Sequence, residues 1–481
     1  MSAPTSVKQY LISCEKWNRR AFLRGAAATG AALTLGGVLK GSTPGDATAE
    51  STLRNSIKSE ANPLRIGFIG VGLRGQGHLS LALDRKDCVV TAIADIDPDM
   101  IKRTKSLIEK KGGKPVEVYD KGENDYLNML KKAPLDAVII ATPWEWHSKM
   151  AVAAMKAGKY TGVEVCGAFS VEECWEMVHV HEETGTHLFF LENVCYRRDV
   201  MAVLNMVRQG MFGDLIHLEG GYQHDLRNVK FNAATAPHNG VEFGENAYSE
   251  AKWRTQHSVS RNGDLYPTHG VGPVANYLNI NRGNRFLYLT SISSKAMGLH
   301  DYVVNHPKGG GNHPNAKVEF ALGDVVTTLI KTANGETVTL YHDTNLPRPY
   351  SLGFRVQGTK GIWMDVNKSL YIEGVSAKPH QWDAAETYLA KYDHPLWKKY
   401  EAQATGAGHG GMDFFLLHAF VEAAKVNEPA PIDVYDAAVW MAITPLSEQS
   451  IAAGSAPQPF PDFTRGGWMK RPVVFALGDT Y

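Results

Sequence analysis

The spacing GxGxxG occurs directly after a short apolar run, at Gly70, Gly72 and Gly75. The first glycine permits a tight turn, the second lets the backbone approach a pyrophosphate, and the third allows close packing of a helix on a strand. The N–H groups at the start of that helix bind phosphate oxygens. Asp95 lies twenty residues beyond Gly75, where a carboxylate accepts hydrogen bonds from a ribose diol and repels a 2′-phosphate. The pattern predicts a dinucleotide site that prefers NAD to NADP.

Polar residues also follow the later predicted strands of the same region. Each segment alone is consistent with an ordinary loop. Because ligands of open α/β sheets bind at the carboxyl ends of the strands, the segments together predict a cofactor and substrate surface. They are Thr142-Pro143-Trp144-Glu145-Trp146-His147 after a strand at 136–142, Glu164-Val165-Cys166 at the end of a strand at 160–165, and Asn193 at the end of the next.

The elements that must position these residues alternate between short apolar runs and helical stretches. Strand–helix alternation at this interval predicts an α/β Rossmann domain, a doubly wound parallel sheet with helices on both faces. Runs rich in Val and Ile predict strands at 64–70, 88–95, 136–142, 160–165 and 187–193. Helical spacing occurs at 76–86, 97–111, 147–157, 171–184 and 198–210.

A different pattern begins after Asp214. Longer alternating runs are typical of an open antiparallel sheet, so we predict an α+β domain with a large, mainly antiparallel sheet. Its strands are expected at 215–222, 285–291, 316–320, 324–331, 337–343 and 353–358. The polar segments 225–265 and 376–411 are interpreted as functional loops. The predicted division is a leader at 1–49, a linker at 50–62, a Rossmann domain at 63–195 and a substrate domain at 196–481 whose C-terminal segment packs back on the Rossmann domain.

Composition narrows the class of protein. A chain of 481 residues predicts two domains. Lys+Arg and Asp+Glu balance at 50 each, which argues against a nucleic-acid partner and a polybasic membrane anchor. None of the five cysteines forms a CxxC pair, so neither a zinc site nor any other metal is expected.

The N-terminus predicts export. Arg19 and Arg20 precede a Phe-Leu pair and a mildly apolar run at 25–39 that is too short to span a bilayer stably. Ala47-Thr48-Ala49 is a plausible peptidase site. We interpret this as a twin-arginine signal peptide, which carries folded proteins to the periplasm and leaves a mature chain without a membrane span.

At these residues the chain resembles the Gfo/Idh/MocA superfamily of NAD(P)-dependent, sugar-handling oxidoreductases. The superfamily lines its nicotinamide pocket with a Thr-Pro…His loop, present here from Thr142 to His147, and with a Glu-Lys-Pro motif. Here that motif reads Glu164-Val165-Cys166, so the lysine that assists proton transfer in ordinary members is absent. The superfamily resemblance also implies a homodimer formed through sheet faces.

The later motifs are similar to glycoside hydrolase family 109, the NAD-dependent N-acetylgalactosaminidases. The resemblance runs from about residue 64 to the C-terminus. It is carried by Gly221-Tyr222-Gln223-His224, Lys252-Trp253-Arg254, Tyr266-Pro267-Thr268-His269-Gly270, Arg348-Pro349-Tyr350 and Gly408-His409-Gly410-Gly411-Met412-Asp413, of which the Tyr-Pro-Thr-His block is the most specific.

The family resemblance implies a role for each matching residue. NAD is expected to contact Leu73, Arg74, Asp95, Trp144, Glu145, Trp146, His147, Glu164, Val165, Asn193 and Tyr266. The sugar is expected to contact Tyr222, Arg254, Tyr266, Pro267, Thr268, His269 and Tyr350. His269 and Tyr266 are the candidate catalytic residues, because imidazole titrates near neutral pH and the phenol is close in sequence. His224, His409 and Asp413 are secondary candidates, for which a structural role in a loop is as good an interpretation.

The resemblance implies hydrolysis of terminal α-N-acetylgalactosamine through an oxidation–elimination–addition–reduction cycle on tightly bound NAD, with no net redox. The alternative is an NAD-dependent sugar dehydrogenase of the superfamily, against which the absent lysine argues. A third hypothesis is a cofactor-stabilised sugar-binding protein without activity, which the clustered His, Tyr and Arg disfavour. The sequence does not separate acid from base among His269, Tyr266 and Tyr222, nor does it decide the anomer that is cleaved.

Overall fold

The computed structural model describes residues 58–234 and 238–481. The predicted leader and most of the predicted linker lie outside these residues. Among the described residues, no helix is both long and apolar enough to cross a membrane.

The N-terminal domain is built on a parallel six-stranded sheet with strand order β3-β2-β1-β4-β5-β6. This is the doubly wound order in which ligands bind at the carboxyl ends of the strands. Its strands are β1 (Leu64–Ile69), β2 (Cys88–Ala94), β3 (Glu117–Tyr119), β4 (Ala137–Ile140), β5 (Tyr160–Val163) and β6 (Leu188–Phe190). Its helices are α1 (Leu73–Leu83), α2 (Pro98–Lys110), α3 (Asp125–Lys132), α4 (Trp144–Lys156) and α5 (Val171–Thr184).

The second sheet has nine strands in the order β14-β13-β12-β11-β7-β10-β9-β8-β15. All neighbours are antiparallel except β7 and β10, which run parallel. Its strands are β7 (Leu215–Gln223), β8 (Phe286–Ser293), β9 (Val325–Thr332), β10 (Thr337–Asp343), β11 (Arg355–Gly358), β12 (Gly361–Met364), β13 (Ser369–Ile372), β14 (Asp383–Ala384) and β15 (Gln458–Pro459).

Helices after β6 cover this sheet and also reach the first domain. They are α6 (Arg198–Arg208), α7 (Arg227–Lys230), α8 (Arg254–Ser260), α9 (Thr268–Tyr277), α10 (Gly298–Asn305), α11 (Ala385–Lys391), α12 (Pro395–Ala404), α13 (Met412–Val426), α14 (Val434–Met441) and α15 (Ile443–Ala452). Helix α13 packs on α1 and β1, and α14 packs on α5 and β6. The apolar core is therefore continuous from the first sheet to the C-terminal helices.

The predicted fold class is confirmed, while some predicted elements differ from the observed ones. Residues 316–320 form no strand: Pro314 starts a short 3-10 helix, Pro314–Lys317, capped by the His313 side chain. Proline donates no ladder hydrogen bond and fixes φ, so the alternating pattern that follows it does not join the sheet. The segments 225–265 and 376–411, interpreted as loops, contain short helices, among them α8 with seven residues and α12 with ten.

Candidate active site

A cavity of about 1220 Å³ runs from the carboxyl edge of the parallel sheet to the end of β7. Its lining contains most of the residues predicted from the sequence. They are Gly70, Gly72, Leu73, Arg74, Asp95, Trp144, Glu145, Trp146, His147, Glu164, Val165, Asn193, Tyr222, Arg254, Tyr266, His269 and Tyr350. Gly75, Pro267 and Thr268 are not part of that lining: Gly75 is a packing contact, while Pro267 and Thr268 begin helix α9.

The glycine turn shows why side chains are excluded beside the cavity. Gly70 has φ +85°, and a Cβ there would lie 2.6 Å from the carbonyl oxygen of Ala141. A Cβ at Gly75 would lie 2.2 Å from the carbonyl oxygen of Gly70, so α1 packs directly on the turn. Gly72 differs, because among the described residues nothing lies within 4 Å of its Cβ position. The turn is closed on the protein side and open toward the cavity, which fits the approach of a pyrophosphate.

Asp95 lies beside the glycine turn, at the cofactor end of the cavity. Its carboxylate accepts hydrogen bonds from the backbone N–H groups of Val71 (2.6 Å) and Asp97 (2.8 Å). Burial raises the pKa of Asp95, and these N–H groups oppose the shift. The carboxylate is thus fixed where β2 ends, in the position predicted for a ribose ligand.

A network of ion pairs joins this end of the cavity to helix α13. Arg74 donates from Nε to Glu164 (2.6 Å) and from its terminal nitrogen to Asp413 (2.8 Å). Asn193 donates to the second oxygen of Asp413 at 2.9 Å, and His409 bonds the same carboxylate at 2.7 Å. Burial alone would raise the pKa of Glu164, but the Arg74 guanidinium lowers it to about 2. The carboxylates of this network are therefore ionised and paired.

His147 lines the cavity but faces backbone. Its Nε2 lies 2.8 Å from the carbonyl oxygen of Thr142, and its Nδ1 contacts the carbonyl oxygen of Cys166. Burial lowers the pKa of His147, so the ring is neutral and donates one of these bonds. The side chain holds two loops together at the cofactor end.

At the other end of the cavity, three glycines bring β7 and α9 together. A Cβ at Gly220 would lie 2.7 Å from the carbonyl oxygen of Gly270, and one at Gly270 would lie 2.4 Å from the backbone nitrogen of Gly221. The strand and the helix therefore meet backbone to backbone, which larger residues would prevent. This contact places Tyr222 of β7 beside His269 of α9.

The rings at this end form a compact aromatic group. Ring centroids are separated by 4.5 Å for Tyr222 and Tyr266, 4.9 Å for Tyr266 and His269, and 5.6 Å for Tyr266 and Trp144. Arg254 lies over the rings of Trp144 and Tyr266 and is paired with Glu250. Burial raises the pKa of both Tyr222 and Tyr266, so both phenols keep their protons and act as hydrogen-bond donors.

Glu192 holds His269 from behind. The Glu192 side chain is fully buried, with oxygens 2.7 and 2.9 Å from Nδ1 of His269. One oxygen also accepts the N–H of Val194 at 2.9 Å, which fixes the carboxylate. A carboxylate on Nδ1 keeps the proton there and leaves Nε2 to accept a proton from a ligand. This arrangement suits a general base.

Val165 stands at the position of the absent lysine, and Cys166 follows it. Its Sγ lies 3.1 Å from the carbonyl oxygen of Leu265, to which the thiol donates. Burial raises the pKa of the Cys166 thiol, so it stays protonated at neutral pH. Neither the Val165 side chain nor the protonated Cys166 thiol offers a proton acceptor in place of the lysine.

Comparison with known proteins agrees with both halves of this site. The family model for the C-terminal domain of glycosyl hydrolase 109 matches residues 196–470, and the oxidoreductase family model for an NAD-binding Rossmann fold matches residues 64–191. The chain is 54% identical over 469 residues to an alpha-N-acetylgalactosaminidase of Tannerella forsythia, covering 95% of this chain and 99% of the relative. The chain belongs to glycoside hydrolase family 109.

Two further relatives support this membership and the fold. A glycosyl hydrolase family 109 protein of Stenotrophomonas maltophilia is 53% identical over 423 residues, covering 87% of this family 109 chain and 93% of its own length. A solved levoglucosan dehydrogenase, in complex with NADH and levoglucosan, superposes with a TM-score of 0.59 at 20% identity over 83% of this chain and 100% of its own. The second likeness shows the fold alone.

The cofactor of this glycoside hydrolase is NAD. The residues present fit it: the open turn at Gly72 accommodates a pyrophosphate, and the fixed carboxylate of Asp95 stands at the end of the neighbouring strand. Trp144 and Val165 line the part of the cavity that joins this end to the aromatic group.

Sequence reasoning missed several residues of this family 109 site. Glu192, which directly precedes the predicted Asn193, was missed. Its position as a carboxylate at the end of a parallel strand is the signal that could have identified it. His78, which bonds Glu164 at 2.6 Å, lies inside a predicted helix and gave no signal. Glu250 was part of a segment interpreted as a loop.

Proposed function

We propose that this family 109 enzyme hydrolyses terminal α-N-acetylgalactosaminides by an oxidation–elimination–addition–reduction cycle. The observation that carries the proposal is the His269–Glu192 pair beside two protonated tyrosines, at the end of a cavity that begins at the NAD turn. The specificity for α-linked N-acetylgalactosamine is supported by the similarity to the alpha-N-acetylgalactosaminidase of Tannerella forsythia.

Bound NAD supplies a reversible two-electron oxidation at C3 of the sugar. The C2 proton is then α to a carbonyl and becomes acidic enough for an imidazole to remove. Nε2 of His269 accepts it, since Nδ1 is held by Glu192. Tyr266 and Tyr222 donate hydrogen bonds that orient the sugar oxygens, and Arg254 binds a hydroxyl or the acetamido oxygen.

The valine at the lysine position supports hydrolysis over net oxidation. An ordinary superfamily dehydrogenase relies on a lysine to move the proton of the reacting hydroxyl, whereas Val165 stands at that position here and the neighbouring Cys166 is a protonated thiol that donates to Leu265. A net dehydrogenase would also release the reduced cofactor, while a closed cycle keeps it. The network of Arg74, Glu164 and Asp413 suits retention, because it ties the NAD turn to helix α13.

The assay incubates the full chain with 4-nitrophenyl α- and β-N-acetylgalactosaminide and follows phenolate release together with absorbance at 340 nm. Release of phenolate from the α-anomer without accumulation of NADH is expected. Stoichiometric NADH from free N-acetylgalactosamine, with no phenolate, would establish the dehydrogenase instead. Sugar binding without either signal would establish the non-enzymatic alternative.

We further propose that the chain is exported to the periplasm by the twin-arginine pathway, on the basis of Arg19 and Arg20. Replacing both arginines with lysine is expected to move the activity from the periplasmic to the cytoplasmic fraction of the producing cell. Unchanged periplasmic activity would contradict the proposal.

A homodimer is proposed through the outer face of the nine-stranded sheet. Tyr288, Ile292 and Leu329 on neighbouring strands β8 and β9 are 44%, 64% and 50% exposed, although they are large and apolar. Sedimentation of the wild type at dimer mass, with monomer for Ile292→Asp, is the expected result. A monomeric wild type would contradict it.

A further inference from the structure

His224 lies directly after β7, the strand that carries Tyr222, next to the sugar end of the cavity. The Tyr222 hydroxyl lies 3.3 Å from Nδ1 of His224, and the ring of Tyr350 packs edge-on against the imidazole at a centroid distance of 4.7 Å. His224 lines the cavity and is half-buried. Because Nδ1 is engaged by a phenol, Nε2 is the nitrogen left for a ligand.

The aromatic group gives the cavity a direction. Trp144 and Tyr266 lie at the inner end of the aromatic group, Tyr222 follows, and Tyr350 comes last with a centroid distance of 6.4 Å from Tyr222. Trp144 is 6% exposed and Tyr350 is 51% exposed, so the row runs from the interior to solvent. The sugar must place its oxidised carbon at the inner end. The group that leaves from C1 belongs to a larger glycan and must extend toward solvent, past His224 and Tyr350.

Two histidines therefore pack against Tyr222, His269 from helix α9 and His224 from the residue after β7. His269 lies at a centroid distance of 5.3 Å from Tyr222 and is held by Glu192, while His224 lies at 5.8 Å and is held by the Tyr222 hydroxyl. The proposed cycle must move three protons: that of the 3-hydroxyl, for which Tyr266 is the candidate relay, that of C2, and that of the C1 oxygen. His269 takes the proton of C2.

We propose that His224 serves the C1 oxygen: it protonates the leaving oxygen at C1 and then takes the proton of the incoming water. This inference rests on the proposed function. In the elimination, the C2 proton passes to His269, the C1–O bond breaks, and the Nε2 proton of His224 passes to the oxygen that leaves. In the addition, water forms the new C1–O bond and returns a proton to His224, and His269 returns its proton to C2.

The surroundings of His224 fit both directions of transfer. Burial first, and then the Arg254 guanidinium, lower the pKa of His224 from its ordinary value. A lowered pKa makes the imidazolium a stronger acid toward an alkoxide and leaves the neutral ring as a base for water. The groups around the ring also include Asp225, Glu250 and His269, so no single charge fixes its protonation state.

Leaving-group dependence tests this inference. A 4-nitrophenolate leaves without a proton, whereas an alkoxide does not, so His224→Ala is compared on 4-nitrophenyl and methyl α-N-acetylgalactosaminide. We expect kcat to fall about 10²- to 10³-fold on the methyl glycoside and about 3-fold or less on the aryl glycoside. The control is His217→Ala, a histidine on β7 that is bonded to Thr337 and Glu219 outside the cavity, which is expected to match wild type on both glycosides. His224→Gln, which keeps a hydrogen bond to Tyr222, is expected to fold and to show the same selective loss.

Isotope exchange gives a second readout. In D₂O, methyl glycoside recovered from His224→Ala is expected to carry deuterium at C2, because His269 still removes that proton. Glycoside recovered from His269→Ala is expected to carry none. An equal loss of kcat on both glycosides, or no loss, would overturn the role of His224 and leave the proposed function standing. A wild type that releases neither 4-nitrophenol nor methanol would overturn both.

Discussion

The two ends of the cavity are built from different chemistry. The cofactor end consists of backbone at the carboxyl edge of a parallel sheet, tied by the paired charges of Arg74, Glu164 and Asp413. The sugar end consists of aromatic rings and imidazoles, such as Tyr266 and His269. Paired charges hold a ligand in place and have no proton to give. Protonated phenols and imidazoles bind a ligand less firmly, but they can transfer protons. The cofactor end therefore binds NAD, and the sugar end carries out the chemistry on the sugar.

The largest expected effect comes from removing the base at the sugar end. His269→Ala is expected to lower kcat on 4-nitrophenyl α-N-acetylgalactosaminide about 10³- to 10⁴-fold, because general base catalysis contributes on that order. The amount of NAD that copurifies should be unchanged, since the cofactor end is untouched. Both are measured on the same sample, the NAD by absorbance after denaturation. Loss of NAD from this variant would show that the two ends are not separate.

The next effect concerns the carboxylate behind the base. Glu192→Gln keeps the shape but lets an amide N–H face Nδ1 of His269, which moves the imidazole proton to Nε2 and blocks the base. We expect kcat to fall about 100-fold with KM nearly unchanged, and Glu192→Asp to recover part of the loss.

The control for that substitution is Asp324→Asn. Asp324 is also buried, but it is not among the residues that line the cavity. It accepts hydrogen bonds from the backbone N–H groups of Met297 and Gly298 at 2.8 and 2.9 Å. It is expected to lower thermal stability without the fall in kcat. An increase of KM alone in Glu192→Gln would contradict the role given to Glu192.

At the cofactor end, the expected effect is on stability and depends on pH. The folded-state pKa of Glu164 is lowered to about 2 from 4.5, so its ion pair stabilises the fold above pH 4.5 and the stabilisation is lost as pH falls toward 2. Glu164→Gln is expected to lower the free energy of unfolding by about 2 kcal/mol at pH 7, because Asp413 still pairs with Arg74. The difference from wild type should shrink below pH 4.5 in urea unfolding followed by fluorescence.

Glu182→Gln serves as the control at the cofactor end. Its partner Arg465 is on the surface, and exposed pairs contribute little. A loss of stability in this control as large as that in Glu164→Gln would remove the distinction drawn for the network.

The smallest effect is expected at the solvent end of the aromatic row. Tyr350→Phe removes a hydroxyl from a ring that is 51% exposed, so we expect KM to rise about 2- to 5-fold and kcat to stay the same. A fall of kcat by two orders of magnitude would place Tyr350 among the catalytic groups.

The cofactor turn could be predicted from the sequence, whereas the contacts that complete the site could not. The cofactor turn is local: Gly70 to Gly75, with Asp95 one strand later, follow a spacing that backbone geometry dictates. Contacts across the fold are not local. Glu192 and His269 are 77 residues apart, and Arg74 and Asp413 are 339 residues apart, so no spacing rule connects them.

Strand prediction failed for a related reason. The three-residue strand β3 lies at the edge of its sheet, with an exposed first residue, and is too short to show a period. At 316–320 the period was present, but Pro314 precluded the ladder. A local sequence pattern predicts a strand reliably where burial alone determines the structure. Strand β4 is an example, because all four of its residues are buried.

Helix α13 gives the first domain a dependence on the end of the chain. Its Phe420 fills the space beside Gly162 of β5, where a Cβ would lie 2.9 Å from the ring, and its Lys425 pairs with Asp87. Asp413, at its start, follows Asn193 by 220 residues, yet the two share a hydrogen bond beside the NAD turn. A ribosome that has made the whole Rossmann sequence has therefore not yet made a finished NAD site. A chain truncated before α13 lacks these contacts. We therefore expect NAD to be bound only by chains whose synthesis is complete.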